Sequence, residues 1–406
     1  MTDCVVQSGS WRRAIDVPPS KSVAHRLMIC AALSGMSLKS IQLPEQCSED
    51  LAATAECLAE LTDSESPVLD CRESGSTLRF LLPVAAALGK NSTFIGRGRL
   101  PQRPIGTLLE ELAAHGVRAT SPQLPLALSG RLSGGIFSLP GDLSSQFVTG
   151  LLFALPLLRE GGSIRLSTPL QSRDYVNLTI DAMARFGVQV QESEDGFRVE
   201  ADASYRPLPS SALPLIVEGD WSNAAFPLVA GAIGGEGLEV RGLRPDSRQG
   251  DRRILELLSA FGARVSFDGD ACRVYPGMLR ALPEIDVSGI PDLVPVLAVL
   301  AGCAEGTTRF VNAARLRLKE SDRLASTQAM LAALGGRADA MPDALVVHGV
   351  GRYHGGVVDS CNDHRIVMAA AVAAEASEKP ITILGANACA KSWPAFFEDC
   401  LENLNP

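Results

Sequence analysis

Several cations of this chain stand where a helix normally repels them. Lys21, Lys319, Arg365 and Lys391 lie in the polar phrases Ser20-Lys21-Ser22, Lys319-Glu320-Ser321-Asp322-Arg323, Asn362-Asp363-His364-Arg365 and Lys391-Ser392, each leading into a run that reads as a helix. Further runs open at Ser74-Gly75-Ser76-Thr77, at Ser144-Ser145-Gln146 and just after Ser172. A helix start presents free N–H groups and the positive end of the dipole, which suits phosphate and carboxylate ligands. A lone Ser, Asp or Asn at such a place is most often only a cap. A Lys or Arg opposes the dipole at a cost of roughly 0.3–1 kcal/mol, and repeating that cost calls for a compensating anion. A bound dianion is the economical candidate.

The elements that carry these residues recur. LAAHGVRA at Leu112, MARFGVQV at Met183, LSAFGARV at Leu258 and LAALGGRA at Leu331 each read as a helix end, a glycine and a short strand. Their glycines, Gly116, Gly187, Gly262 and Gly335, recur roughly every 70 to 75 residues in the role of a helix-ending C′ residue. That period gives between five and six units over 406 residues, which is too long for a common solenoid repeat and fits a duplicated α/β unit. In the first run Ser20 is placed as N-cap and Gly35 as stop, and Ser22 and Arg26 share one face.

Length alone predicts two domains. The hydrophobic share of 46% with 20% charged residues describes a globular chain. A net charge of −9 argues against nucleic acid or an anionic membrane as the main partner, while leaving room for a local cationic cluster. Ten scattered cysteines without a CxxC pair predict free thiols in a reducing cytoplasm. The start lacks the apolar core of a signal peptide, and no apolar run is long enough to span a bilayer.

The phrases PPSKSVAHR (Pro18–Arg26), ESGSTLR (Glu73–Arg79), LPQRPIG (Leu100–Gly106), GDLSSQFVTGLL (Gly141–Leu152), SRDYVNLTI (Ser172–Ile180), VEGDWSNAAF (Val217–Phe226), RLRLKESDR (Arg315–Arg323), NDHRIVMA (Asn362–Ala369) and AKSWPAFF (Ala390–Phe397) stand in the order of one known family. Along essentially its whole length the chain resembles the EPSP synthase (3-phosphoshikimate 1-carboxyvinyltransferase) family. The resemblance implies an α/β (α+β) fold of two domains, each an inverse α/β barrel-like assembly of three βαβαββ copies, with a cleft between them. It implies one domain of residues 1–20 and 218–406 on the phosphoenolpyruvate side, and an inserted domain of 21–217 on the shikimate 3-phosphate side. The activity implied is transfer of the enolpyruvyl group of phosphoenolpyruvate to the 5-hydroxyl of shikimate 3-phosphate, through a tetrahedral intermediate, with no metal or organic cofactor. A cytoplasmic monomer is expected.

Carried over residue by residue, the resemblance makes Lys21, Asp292, Glu320 and Lys391 the catalytic set. Glu320 faces the methylene carbon and Asp292 the reacting hydroxyl; Lys21 bridges the reacting oxygen and a phosphate; Lys391 meets the departing phosphate. Shikimate 3-phosphate falls to Lys21, Ser22, Arg26, Ser144, Ser145, Gln146, Ser172, Asp292 and Lys319, with Tyr175 as a cover for the ring or a packed helix residue. Phosphoenolpyruvate falls to Lys21, Gly75, Arg103, Gln146, Arg323, Arg365 and Lys391, where arginine forks suit carboxylate and phosphate. Without the resemblance, Glu320 reads as a first-turn glutamate and Asp292 as an N-cap. Arg79 is expected to support its loop, and His364 to position its neighbours.

Glu73 stands where many members of the resembled family have Asn, and Arg315 where some have it, so the contacts at those two points are left open. Unsubstituted Gly75 predicts ordinary sensitivity to glyphosate. The sister transferase acting on UDP-N-acetylglucosamine is disfavoured by Ser144-Ser145-Gln146 and by the lack of a cysteine in a cationic loop. A non-catalytic relative is disfavoured by the presence of Lys21, Asp292, Glu320 and Lys391. The chain has no GxxxxGK[ST] phosphate loop.

Overall fold

The computed structural model describes residues 3–402. The chain divides into two compact units, Lys21–Val217 and the discontinuous pair Met1–Ser20 with Glu218–Pro406. Each has its own apolar core.

In the unit 21–217 the helices are α1 (Lys21–Leu33), α2 (Glu49–Asp63), α3 (Gly75–Leu88), α4 (Gly106–Ala114), α5 (Ser145–Ala154) and α6 (Arg173–Arg185). One sheet runs Val68–Asp70, Ser92–Ile95, Leu126–Gly130, Val117–Ala119, its first pair parallel and the others antiparallel. A second, Gly135–Leu139, Gly162–Leu166, Gly196–Val199, Gln191–Ser193, repeats that pattern. Both read strand–helix–strand–helix–strand–strand along the chain. The third copy is reduced: Leu215–Ile216 pairs in parallel with Ile41–Gln42.

The discontinuous unit carries α7 (Trp221–Ile233), α8 (Ile254–Phe261), α9 (Val294–Cys303), α10 (Arg323–Ala333), α11 (His364–Ala373) and α12 (Phe396–Cys400). Its two full sheets have the same order and directions: Ala14–Asp16, Leu238–Arg241, Ala271–Tyr275, Arg264–Asp268 and Glu284–Asp286, Thr307–Val311, Ala344–His348, Arg337–Met341. The third sheet has Gly356–Asp359 parallel to Ile381–Leu384, with Cys4–Val6 antiparallel as its last strand. The expected three βαβαββ copies per unit are therefore two full copies and one reduced copy. The reduced copies are assembled where the chain enters or leaves a unit, so distant segments must complete them.

Composition explains why helices lie inside and sheets outside. α9, VPVLAVLAGC, and α11, HRIVMAAAVA, are buried on nearly every side, as all-round apolar helices must be. Strands such as Arg264–Asp268 and Arg337–Met341 alternate between partial burial and exposure. The four glycines of the repeated phrase all take left-handed φ, from 81° to 106°, as C′ residues do. In α3, Pro83 has no N–H to give the Arg79 carbonyl. Gly150 of α5 lies against that carbonyl, where a Cβ would collide with it. This close approach sets Gln146, one turn earlier on α5, beside Arg79.

Among the described residues no helix is long and apolar enough to cross a membrane, and all ten cysteines are free.

Candidate active site

In the unit 21–217, the helix starts pair Lys21 with a carboxylate and set their arginines among neutral donors and acceptors. Lys21 is the first residue of α1, and its Nζ meets Asp50 Oδ2 at 2.8 Å, both side chains largely buried. Asp50 sits in the first turn of α2, where Ser48 caps and acidic side chains are favoured. The anion that the Lys21 position demands is thus met here by a carboxylate of the protein, which the sequence did not reveal. Ser20, just before α1 but the last residue of the discontinuous unit's first segment, donates its hydroxyl to Gln249 Oε1 of that same unit at 2.9 Å.

Arg26 is 3% exposed. Its Nε donates to Thr179 Oγ1, Nη1 to the Ser22 carbonyl and Nη2 to the Tyr175 carbonyl, at 2.9, 2.6 and 2.7 Å. Burial pulls its pKa down to about 10. Ser74 caps α3 by accepting from Thr77 N, and Ser144 caps α5 by accepting from Gln146 N. Gln146 donates through Nε2 to Ser76 Oγ at 2.9 Å and accepts from Arg79 Nη1 at 3.3 Å. Arg79 Nη2 also donates to the Pro104 carbonyl, the loop-supporting role expected of it. A Cβ on Gly75 would lie 2.5 Å from Arg103 Nη1 and 2.6 Å from Arg79 Nη1, so glycine is what lets both guanidiniums approach this helix start. Ser145 and Ser172 are buried, and Ser172 holds a left-handed φ of 54° just before α6 with no cap bond. Such a conformation in a non-glycine residue is costly and clusters at functional positions.

In the discontinuous unit the helix starts gather cations around carboxylates. Asp292 accepts from Arg323 Nη1 at 2.6 Å and from Arg365 Nη2 at 3.4 Å, and Lys319 Nζ stands at 3.5 Å. Asp292 is not the N-cap of α9: it lies in the 3-10 turn Pro291–Leu293 and gives its oxygens to cations instead. Burial alone would raise its pKa, but Lys319, Arg365 and Arg323 outweigh that and hold the carboxyl well below its usual range. Glu320 is not in a first turn either, because Asp322 caps α10 and Arg323 begins it. Glu320 Oε2 accepts from Arg323 Nη2 at 2.8 Å.

Arg323 is almost wholly buried, and its Nε meets the fully buried Asp363 at 2.9 Å. Burial would lower the Arg323 pKa, but Asp363, Glu320 and Asp292 raise it well above the ordinary guanidinium value. For Lys319 burial outweighs the pull of Asp292 and leaves the pKa lowered. Asp363 caps α11 by accepting from Arg365 N and also accepts from Ser321 Oγ at 2.9 Å. Arg365 donates to the Ser222 carbonyl, Ser222 Oγ and Asn223 Oδ1, so the start of α7 holds it from behind.

Lys391 departs from its expected setting. It ends the 3-10 turn Ala386–Lys391, and the next helix begins only at Phe396. Pro394 disfavours helical backbone at Trp393 before it. Lys391 Nζ donates to the Asn362 carbonyl at 2.6 Å, and Ser392 Oγ to Asn223 Oδ1 at 3.2 Å, tying this turn to α11 and α7. Lys21 and Arg365 therefore do oppose a helix dipole, whereas Lys391 and Lys319, which precedes the Asp322 cap and the Arg323 start of α10, do not. His364 is buried beside Asp363. Arg315 Nη2 donates to the Ser288 carbonyl, and the Glu73 carboxylate lies over Gly98. Asp50, Asp363, Ser222 and Asn223 escaped the sequence reading; of these, Asp363 stood in plain view as the residue before His364-Arg365.

The unit 21–217 thus joins Lys21, Ser22, Arg26 and Tyr175, and separately Gly75, Arg79, Arg103 and Gln146. The discontinuous unit joins Asp292, Lys319, Glu320, Arg323, Arg365 and the Lys391 turn. This second cluster sets the carboxyls of Asp292, Glu320 and Asp363 among the cations Lys319, Arg323 and Arg365, an arrangement that can hold anions and move protons.

Comparison with known proteins agrees in extent. Residues 6–400 match the family described as EPSP synthase (3-phosphoshikimate 1-carboxyvinyltransferase). A 3-phosphoshikimate 1-carboxyvinyltransferase from Clostridium kluyveri is 41% identical over 95% of this chain and 93% of its own. One from Clostridium perfringens is 37% identical over 98% and 97%. An EPSP synthase structure from Acinetobacter baumannii shares the fold with a TM-score of 0.75 over 100% of both chains, at 24% identity. The enolpyruvyl transferase NikO from Streptomyces tendae shares it with a TM-score of 0.73 over 99% of this chain and 98% of its own, at 17% identity. This chain belongs to the EPSP synthase family.

Proposed function

We propose that the chain transfers the enolpyruvyl group of phosphoenolpyruvate to the 5-hydroxyl of shikimate 3-phosphate, releasing phosphate. The observation that carries this reading is the family match over residues 6–400, and the cluster of Asp292, Lys319, Glu320, Arg323 and Arg365 supplies groups suited to it.

The reaction adds the hydroxyl oxygen to C2 while C3 gains a proton; the tetrahedral intermediate then loses phosphate from C2 and a proton from C3. In our reading Glu320 gives and later removes the carbon-bound proton, Asp292 takes the hydroxyl proton, and Lys21 and Lys391 stabilise charge on the reacting oxygen and the departing phosphate. Arg103, Arg323 and Arg365 clamp phosphoenolpyruvate, with Gly75 keeping the α3 start open and Gln146 donating. Ser22, Arg26, Ser144, Ser145, Gln146, Ser172 and Lys319 take shikimate 3-phosphate. On this reading the unit 21–217 is the shikimate 3-phosphate side and the discontinuous unit the phosphoenolpyruvate side. An ionised Asp292 suits accepting a hydrogen bond from the reacting hydroxyl, and the Arg323 contact orients the Glu320 carboxyl. The protein acts as a cytoplasmic monomer in this reading.

The test is phosphate release from phosphoenolpyruvate with shikimate 3-phosphate, with UDP-N-acetylglucosamine, or with neither. Release only with shikimate 3-phosphate is expected. Release only with the sugar nucleotide overturns the substrate assignment, and silence from folded protein overturns the activity.

A further inference from the structure

Beneath the helix starts of the unit 21–217 runs a buried chain of polar side chains that the proposed chemistry does not use. His25 of α1, Thr54 of α2, Thr77 of α3 and Ser74, the cap of α3, are each 1% exposed or less. His25 Nδ1 lies 2.8 Å from Thr54 Oγ1, Thr54 Oγ1 lies 2.6 Å from Thr77 Oγ1, and Thr77 Oγ1 donates to Ser74 Oγ at 2.7 Å. His25 Nε2 is buried and has no hydrogen-bond partner. Its ring meets Phe80 edge to face at 6.3 Å.

Each hydroxyl has one proton, so the chain can run in only one of two directions. If it ran toward His25, Thr54 would donate to Nδ1, and the imidazole proton would sit on Nε2 as a buried N–H without an acceptor. Orphaned buried N–H groups are rare, while an unused acceptor lone pair is tolerated more readily. The chain therefore runs outward: His25 Nδ1–H to Thr54, Thr54 O–H to Thr77, and Thr77 O–H to Ser74 at 2.7 Å, the shorter of its two contacts, the other being the Asp50 carbonyl at 3.4 Å. A charged imidazolium would place a proton on Nε2 as well. Burial, with Lys21 and Arg26 alongside, holds the pKa well below the ordinary histidine value and keeps the ring neutral.

We infer that His25 is a positioning residue, a neutral Nδ1–H donor whose directed chain through Thr54 and Thr77 sets the start of α3. Ser74 also accepts from Thr77 N, so the chain ends on the cap that fixes Gly75 and Ser76. Ser76 in turn receives Gln146, and Gly75 makes room for Arg103 and Arg79. The neighbouring Arg26 donates to Thr179, whose hydroxyl reaches the Tyr175 carbonyl at 3.1 Å and lies 3.0 Å from Thr149 of α5. Two consecutive residues of α1 thus register α3 and α5.

The kinetic consequence rests on the proposed function, because Gly75, Arg103 and Gln146 are there assigned to phosphoenolpyruvate; the tautomer does not. The experiment takes the full-length protein labelled with 15N at histidine and records long-range ring 1H–15N correlations from pH 5 to 9, with His25→Asn identifying the signal. A His25 ring protonated at Nδ1 only, and unchanged across that range, is expected. An Nε2–H tautomer, or titration within the range, overturns the inference whether or not the enzyme is active. Thr54→Val then breaks the chain at nearly constant volume, while His25→Asn keeps a donor near the Nδ1 position. We expect kcat/KM for phosphoenolpyruvate to fall about tenfold in Thr54→Val, mainly through KM, and to stay within about threefold of wild type in His25→Asn. A Thr54→Val enzyme that loses thermal stability but keeps kcat/KM within twofold shows a purely structural chain and overturns the positioning role. Wild-type protein without phosphate release would sink the proposed function while leaving the tautomer result standing.

Discussion

The two units use the same repeated fold to present opposite kinds of chemistry. In the unit 21–217, Lys21 pairs with Asp50, while Arg26 and Arg79 donate to backbone carbonyls, a threonine hydroxyl and the amide of Gln146. In the discontinuous unit, Lys319, Arg323 and Arg365 are interleaved with Asp292, Glu320 and Asp363. The first arrangement surrounds its arginines with neutral groups and suits holding an anion. The second neutralises most of its cations internally and keeps two partly exposed carboxylates, Asp292 and Glu320, which suits moving protons. A shared architecture therefore leaves the chemistry open, and the residues at the helix starts decide it.

The widest gap between the units should appear on removing a carboxylate. Glu320→Ala is expected to lower kcat by roughly 10²–10⁴, the range for losing a general acid–base group, with KM for shikimate 3-phosphate nearly unchanged. A loss under tenfold in steady-state assays would erase the distinction. Next comes stability. Asp363→Ala leaves Arg323 with Asp292 and Glu320 but takes the acceptor from its buried Nε and the cap from α11, and should cost about 1–3 kcal/mol, seen in urea unfolding of the full chain. Asp50→Asn should cost well under half as much, since Lys21 keeps some access to water.

A smaller effect is expected at Gly75. A methyl there must push aside the Arg103 and Arg79 guanidiniums, and KM for phosphoenolpyruvate should rise about tenfold, equivalent to ~1.4 kcal/mol, with kcat less affected. An unchanged KM would mean the arginines yield freely. The smallest effect concerns pH. Asp292 has a folded pKa below its unfolded one, so its stabilising share is complete above the ordinary carboxylate value, about 3.9, and is lost only as pH falls through the depressed folded value. Wild-type stability should thus show no step from Asp292 between pH 5 and 7. A step in that window that vanishes in Asp292→Asn would contradict the charge arrangement.

Local signals made part of this legible. The starts of α1, α3, α5 and α11 follow from Ser and Asp placed before apolar runs, and the positive-φ glycines follow from the repeated phrase. Partners set by tertiary contact were not legible: Asp50 lies 29 residues from Lys21, and Asn223 lies 169 residues from Ser392. Lys391 misleads because the apolar run after it looks helical, while Pro394 delays the helix to Phe396. Glu320 and Asp292 read locally as helix-start carboxylates; only packing turns them toward Arg323 and Lys319. The hydroxyl chain from His25 has no sequence signature, since Thr54 and Thr77 could as well be ordinary helix residues.

The most direct test of this division between the units follows a proton. Phosphoenolpyruvate and shikimate 3-phosphate are turned over in D2O, and deuterium in the product methylene is read by mass spectrometry for wild type, Glu320→Gln and Gln146→Leu. Wild type should incorporate deuterium, Gln146→Leu should do so at a reduced turnover rate, and Glu320→Gln should show essentially none over the time wild type needs for many turnovers. Incorporation by Glu320→Gln at the wild-type rate would contradict the assignment of proton chemistry to the discontinuous unit's carboxylates.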